Sequence, residues 1–245
     1  KAQASIMAGE VEIDGVRCSK AGTPVKFDVK ISVKSKSLWV GRGAEKLIAA
    51  FRKFKIGCAG QICLDIGAST GGFTQVMLEN RAARVYAVDV GYGQFDVRLR
   101  NDPRVVLLER KNARVLTRVD VPETVKFLAM DVSFISIFKI LPAIAALLAE
   151  DALGIVLFKP NFEASKKEVQ RGGLLLDPEI HLRLLESVPK KLSAAGFYLA
   201  GITPSPIRGG GGNIEYLLWI VRTVAGSPQS GSIRSAVDEA FQNAE

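Results

Sequence analysis

Leu64-Asp65-Ile66-Gly67-Ala68-Ser69-Thr70-Gly71-Gly72-Phe73-Thr74 reads as an apolar strand running into a glycine-rich turn and then a helix. Glycines at such a turn permit a tight reversal and let the backbone approach a ligand at the helix start. Asp89 ends the next apolar run, 24 residues after Asp65. That resembles the roughly 20-residue offset at which an acidic residue meets ribose hydroxyls in dinucleotide-binding folds. The pattern predicts an adenosine-type ligand. The NAD fingerprint G-x-G-x-x-G is not met, because Gly67 is followed by Ser69 and then Gly71-Gly72.

Outward from this stretch, strands alternate with helices. Candidate strands are Ile62–Ile66, Val85–Asp89, Val105–Leu108, Phe127–Asp131, Gly154–Lys159, Tyr198–Ile202 and Ile214–Val221; candidate helices are Ala44–Phe54, Gly72–Glu79, Ile137–Ala149 and Glu179–Ala194. Asp177-Pro178 supplies an N-cap and a first-turn proline for the last of these. Such alternation predicts an α/β fold with a mostly parallel seven-stranded sheet covered by helices on both faces. Gly209-Gly210-Gly211-Gly212 reads as a flexible loop between the last two strands, and Ile233 to Phe241 as an amphipathic docking helix. Upstream, Val11-Glu12-Ile13-Asp14-Gly15-Val16 is a hairpin signal, Val25 to Val33 a further extended stretch, and Lys34-Ser35-Lys36-Ser37 a polar linker. The expected division is residues 1–36 as part of a small β-rich module with its linker, and 37–245 as the α/β domain.

The 245 residues are 48% hydrophobic and 24% charged, an ordinary globular balance that argues against wholesale disorder. No apolar run approaches the roughly 20 residues that span a bilayer, so an integral membrane protein is not expected. Three cysteines, Cys18, Cys58 and Cys63, form no C-x-x-C pair, which excludes a disulfide scaffold and a structural zinc site and suits a reducing cytosol. No secretory signal is visible, and a start on Lys1 rather than methionine is read as a fragment or a disordered start. The net charge is +8, and residues 1–56 carry 12 basic and 5 acidic residues, nearly all of the excess. A basic head on a nearly neutral body predicts a polyanionic partner, nucleic acid ahead of anionic lipid.

Six motifs in order then carry a resemblance. Val40-Gly41-Arg42-Gly43-Ala44-Glu45-Lys46-Leu47, Asp65 to Thr74, Ala87-Val88-Asp89-Val90-Gly91-Tyr92-Gly93-Gln94, Met130-Asp131-Val132-Ser133-Phe134-Ile135-Ser136, Phe158-Lys159-Pro160-Asn161-Phe162-Glu163 and Gly212-Asn213-Ile214-Glu215-Tyr216 resemble the TlyA (haemolysin A) family. The resemblance extends to about Thr223. It implies a Rossmann-like class I methyltransferase with an FtsJ/RrmJ-like catalytic domain, acting on a ribose 2′-hydroxyl of ribosomal RNA. The cofactor implied is S-adenosylmethionine, with Asp65, Gly67, Ser69, Thr70, Gly71, Gly72, Asp89 and Asn112 as its binding set. The catalytic set carried over is Lys46, Asp131, Lys159 and Glu215. Arg42, Lys166, Lys167, Arg171 and Arg208 are the candidate RNA contacts, ribosomal RNA or ribosomal subunits the expected partners, and the cytoplasm the expected location. Ala4 to Val33 resembles the second half of the family's small RNA-binding domain, of the ribosomal-protein type. The chain departs from the family pattern at Gly41-Arg42-Gly43-Ala44, where Ser-Arg-Gly-Gly is expected, at Asn161, where Gln is, and in the glycine-rich loop Arg208 to Gly212.

Independent chemistry fits this set. Asp131 and Lys159 close the fourth and fifth strands, where ligands of open α/β sheets bind. A ribose hydroxyl is a poor nucleophile until its proton is removed or its developing charge is stabilised; Lys159 can act as base if neutral or stabilise the oxyanion if charged. Asp131 and Glu215 would orient the two lysines, and Lys46 would position the hydroxyl. Exocyclic-amine methylation would call for an Asn/Asp-Pro-Pro-aromatic turn where Asp131-Val132-Ser133-Phe134 stands, and cytosine carbon methylation for a cysteine nucleophile, commonly after proline. His181, the single histidine, is expected at the surface, and no cluster has metal-ligand spacing. Two rival readings are methylation of another RNA and a membrane-active cytolysin.

Overall fold

The computed structural model describes residues 6, 11–18, 20, 22–33, 38–223 and 233–242. The chain divides into two compact units, Lys1–Leu38 and Trp39–Glu245.

In the first unit, β1 (Val11–Ile13) pairs antiparallel with β2 (Val16–Cys18) and with β3 (Ile31–Val33). Asp14 and Gly15 both take positive φ, 48° and 80°, as a two-residue hairpin of this handedness requires. The expected strand from Val25 is shorter: only Ile31–Val33 pair with β1 as a strand, Lys30 bonds to Asp14 just before it, and Phe27-Asp28 form a turn. The polar stretch 34–37 lies outside the described residues.

The second unit is built on a seven-stranded sheet. Its strands are β4 (Ile62–Ile66), β5 (Arg84–Val88), β6 (Val105–Leu108), β7 (Val125–Met130), β8 (Leu148–Phe158), β9 (Tyr198–Pro204) and β10 (Tyr216–Val221), in the order β6-β5-β4-β7-β8-β10-β9. All pairings are parallel except those of β10, which runs antiparallel to both β8 and β9. Strand alternation sends Leu64, Ile66, Leu128 and Met130 into one apolar cluster and Cys63, Phe127, Ala129 and Ile155 into another. The sheet is therefore covered on both faces, as expected.

Helix α1 (Gly43–Phe54) packs Ala44, Leu47, Ala50 and Phe51 into the second cluster, and α2 (Gly72–Glu79) follows the glycine turn. A short α3 (Val97–Arg100) leads to β6. The expected helix over 137–149 is broken into a 3-10 turn at Ile137–Lys139, α4 (Leu141–Ile144) and a second 3-10 turn at Ala145–Leu147, with β8 already begun at Leu148. Pro142 has no N–H for a continuing helix, and its ring would clash with the carbonyl four residues back. After α5 (Pro160–Glu163), the expected helix over 179–194 likewise divides into α6 (Pro178–Glu186) and α7 (Val188–Ala194), split by Pro189. Asp177 does cap α6, its carboxylate accepting from the N–H groups of Glu179 and Ile180. The glycine loop closes in a 3-10 turn at Gly210–Gly212, and α8 (Ile233–Gln242) buries Ala236, Val237 and Ala240 in the first cluster, packed against α6 and β9.

His181 is fully buried, which overturns the surface assignment. On α6 it shares a face with Leu184, Leu185 and Val188, the i+3, i+4 and i+7 positions that point to the core. Its Nε2 donates to the Leu175 carbonyl at 2.9 Å, so its Nδ1 accepts from the Tyr216 hydroxyl, also at 2.9 Å. Burial pushes the imidazole below its ordinary 6.5. As the pH falls through 6.5 the unfolded chain takes up a proton that the folded chain resists, so stability falls with it. Between pH 7.5 and 5.5 the wild type is expected to lose more melting temperature than His181→Gln; parallel losses would contradict this.

Candidate active site

The register of β10 against β8 makes the site. Tyr216 lies opposite Phe158, so Glu215, just before β10, stands beside Lys159, just after β8. Asp131 leaves the end of the adjacent β7, and Lys46 reaches in from α1. The structure brings all four together. Lys46 Nζ lies 2.6 Å from Glu215 Oε2 and 3.6 Å from Asp131 Oδ2. Lys159 Nζ lies 2.7 Å from Asp131 Oδ1 and 3.9 Å from Glu215 Oε1. Each lysine thus faces both carboxylates. Lys46, Lys159 and Glu215 are less than a tenth exposed. Two cations and two anions at this spacing offset one another, which a buried unpaired charge could not.

Lys159 also donates to Ser133 Oγ at 2.9 Å. Ser133 begins a tight passage in which Phe134 takes φ +63° and stays 91% exposed. Glu163 fastens the end of that passage, accepting from Ser136 Oγ at 2.7 Å and from the Ile137 N–H at 2.9 Å; burial raises its carboxyl above the ordinary range. Ser133 and Glu163 lie inside quoted motifs, but neither was given a role by the sequence. The signal available was their adjacency to Asp131 and Lys159.

Two cavities meet here. One of about 220 Å³ is lined by the four charged residues together with Arg42, Gly67, Ser69, Thr70, Gly72 and Arg208 among others. The second, about 530 Å³, runs past Gly67, Ser69, Asp89 and Asn112, with Val132, Phe134 and Ile135 as apolar wall. Gly67, Ser69 and Asp131 border both. Gly67 has φ +83°, and a Cβ there would sit 2.1 Å from the Asp131 carbonyl oxygen, so only glycine keeps the two cavities this close. Gly209, at an ordinary φ of −69°, meets only the Glu215 side chain, whose Oε1 would lie 2.1 Å from an added Cβ.

The predicted cofactor set divides between these places. Asp89 is aimed by three donors: the Ser69 N–H at 2.7 Å, the Gly91 N–H at 2.7 Å and Gln94 Nε2 at 3.3 Å. Gly91 and Gln94 both donate to Oδ1, so Oδ2, with Ser69 alone, keeps a lone pair for a ligand hydroxyl. Asn112 lines the same cavity while its side chain caps the following 3-10 turn. Thr70 and Gly72 instead line the smaller cavity, and Gly71 caps α2 on the wall of neither. Asp65 is on neither wall. Strand alternation turns it into the covered face beneath α2, where Thr74 Oγ1 donates to its Oδ2 at 2.6 Å. Its buried Oδ1 has no hydrogen-bond partner among the described residues. That orphaned oxygen, the glycine cradle and the aimed Asp89 carboxylate fit a ligand carrying both a cationic amine and ribose hydroxyls. Of the predicted RNA contacts, Arg42 and Arg208 line the smaller cavity, whereas Lys166, Lys167 and Arg171 are exposed and line neither. Among the described residues no group of His, Cys, Asp and Glu could hold a metal ion.

A family model described as FtsJ-like methyltransferase matches residues 39–222. The chain is similar to the 16S/23S rRNA (cytidine-2′-O)-methyltransferase TlyA of Mycobacterium tuberculosis, 45% identical over 217 residues, which cover 88% of this chain and 81% of that one. It is also similar to Hemolysin A of Brachyspira hyodysenteriae, 41% identical over 221 residues, 89% of this chain and 91% of that one. A solved structure from Streptococcus thermophilus, described provisionally as a hemolysin, superimposes with a TM-score of 0.82 at 40% identity, covering 98% of this chain and 89% of its own.

Burial pushes the Asp65 carboxyl up to about 7 from its ordinary 3.8. Between those values the unfolded chain ionises while the folded chain keeps its proton, so stability falls as the pH rises through that interval. Asp65→Asn retains an acceptor for Thr74 and cannot ionise. It is expected to melt higher than the wild type by at least about 4 °C at pH 8, with little difference at pH 4. Identical melting at pH 8 would contradict the burial argument.

Proposed function

The chain belongs to the FtsJ-like methyltransferase family, and from that premise we propose that it transfers a methyl group from S-adenosylmethionine to a ribose 2′-hydroxyl of ribosomal RNA. The observation that carries this reading is the crossed cluster of Lys46, Asp131, Lys159 and Glu215 at the border of the two cavities. Gly67, Ser69, Asp89 and Asn112 would hold the cofactor in the larger cavity, with Asp65 acting from beneath the turn. When bound, S-adenosylmethionine supplies an electrophilic methyl group.

The chain's own residues prepare the acceptor oxygen. Lys159, held between Asp131 and Ser133, is aimed at the smaller cavity, where the ribose hydroxyl would sit. Neutral, it takes the hydroxyl proton as the new C–O bond forms; charged, it stabilises the oxygen while that proton leaves to water. Lys46, anchored on Glu215, positions the hydroxyl from the other side. Asp131 and Glu215 fix the directions of both lysines. The basic segment 1–56 supports an RNA partner, with the first unit contributing as an RNA-binding module, and Arg42, Lys166, Lys167, Arg171 and Arg208 are further phosphate contacts. A cytoplasmic location accords with such a substrate.

The haemolysin label of two similar proteins suggests a membrane-active alternative. Among the described residues no helix is long and apolar enough to cross a membrane. The amphipathic helix α8 already spends its apolar face on α6 and β9.

Labelled S-adenosylmethionine and undermethylated ribosomal subunits test the proposal. Lys159→Ala is expected to lower methyl transfer about 10²–10⁴-fold with cofactor affinity kept. Lys159→Arg keeps the charge and cannot act as a base, since arginine stays protonated. Substantial activity in the arginine variant would assign the charge-stabilising role; substantial activity in the alanine variant would overturn the tetrad reading.

A further inference from the structure

A third cavity in the second unit, about 620 Å³, takes in Glu215 and Arg208 at one end but otherwise lies outside the quoted motifs. It lies beside the tetrad and shares Ile207, Arg208 and Glu215 with the small cavity. One wall is α1, where Lys46, Ala49 and Lys53 fall at i, i+3 and i+7 on a single face. Their span is roughly 10 Å at 1.5 Å per residue, so the helix leads outward from the catalytic lysine to Arg52 and Lys53. The opposite wall is the rigid Pro204-Ser205-Pro206 segment and α8.

Arg52 and Lys53 are exposed, and neither side chain makes an ion pair or hydrogen bond with another described residue. Placement in the last turn of α1 suits the helix dipole, but it does not require that both residues line a groove opening onto the tetrad. Arg208, which donates to the Gly212 carbonyl, adds a third cation where the two cavities join. Glu239 is the acidic residue on the groove wall besides Glu215, which Lys46 already engages.

We propose that this groove receives the RNA strand on one side of the target nucleotide, with Arg52 and Lys53 binding its phosphates and Arg208 the phosphate at the junction. The proposal rests on the ribose-methylation reading. A ribose inside an RNA chain carries a phosphodiester on each side, and a cavity of about 220 Å³ has no room for both flanking nucleotides. One strand must leave along a neighbouring surface, and the groove, whose Arg52 and Lys53 side chains have no partner among the described residues, shares Glu215 with the tetrad cavity. The three cations give the groove charge complementarity to a single strand.

The test compares the wild type, Arg52→Ala/Lys53→Ala and the charge-retaining Arg52→Lys/Lys53→Arg. RNA affinity is measured against salt, and methyl transfer to undermethylated subunits against RNA concentration. Calorimetry with S-adenosylmethionine monitors the cofactor site. For the alanine pair the log–log salt slope is expected to become shallower by about 1.4, since each single-strand phosphate contact contributes about 0.7. The KM for RNA should rise about tenfold, with a smaller effect on kcat and cofactor affinity within twofold of wild type. The charge-retaining pair should recover most of the slope. Wild-type methylation combined with an unchanged slope and KM in the alanine pair would overturn the groove alone. A wild type that binds RNA but leaves every ribose unmethylated would overturn the activity reading beneath it. Loss of cofactor binding in the alanine pair matching its loss of RNA binding would also reject the groove, because the effect would then be structural.

Discussion

The antiparallel pairing of β10 with β8 is the constraint on which the site depends. In an all-parallel sheet the residues just past each strand end would come from the same direction of chain travel. Here β10 enters where β8 leaves, so Glu215 and Lys159 meet at one edge although 56 residues separate them in sequence. Asp131 joins them from the next strand, and Lys46 closes the square from α1. Each charge is held by two of the opposite sign, so removing any one leaves a buried imbalance of the kind that costs several kcal/mol. The cluster is thus a structural joint, and under the proposed function its fixed charges would reduce reorganisation when the acceptor hydroxyl arrives.

The second dependence is the close passage of Gly67 over Asp131. The left-handed backbone at Gly67, with the Asp131 carbonyl against it, makes one short border between the two cavities. A methyl donor on one side and an acceptor oxygen on the other need such a border. Asp89 holds it on the side of the larger cavity by fixing Ser69, and Glu163 holds the far end by fixing the passage from Ser133 to Ile137.

Much of this was legible in the sequence because it is local. The strand–turn–helix from Leu64 to Thr74, the Asp177 cap and the Asp14-Gly15 turn depend on residues within a few positions, and each appears where its chemistry demands. The tetrad was legible only through the resemblance, since no spacing rule relates Lys46 to Glu215. What escaped was of two kinds. Pro142 and Pro189 broke helices that periodicity alone had joined, although the proline rule was available. Side-chain direction was harder: Asp65 turned under α2 rather than toward a cavity, and His181 turned inward to Tyr216. The Arg52–Lys53 groove escaped because it is assembled from α1, the loop after β9 and α8, three segments distant in sequence.

The most direct measurement of the central claim is the chemical position of the transferred methyl group. Ribosomal RNA labelled by the protein with methyl-tritiated S-adenosylmethionine is hydrolysed in alkali and, in parallel, digested to nucleosides for mass spectrometry. A methyl on O2′ blocks alkaline cleavage at that linkage, so the account predicts label in an alkali-resistant dinucleotide and in a nucleoside methylated on its ribose. Label released entirely as alkali-sensitive mononucleotides, with the methyl on a base, would contradict it.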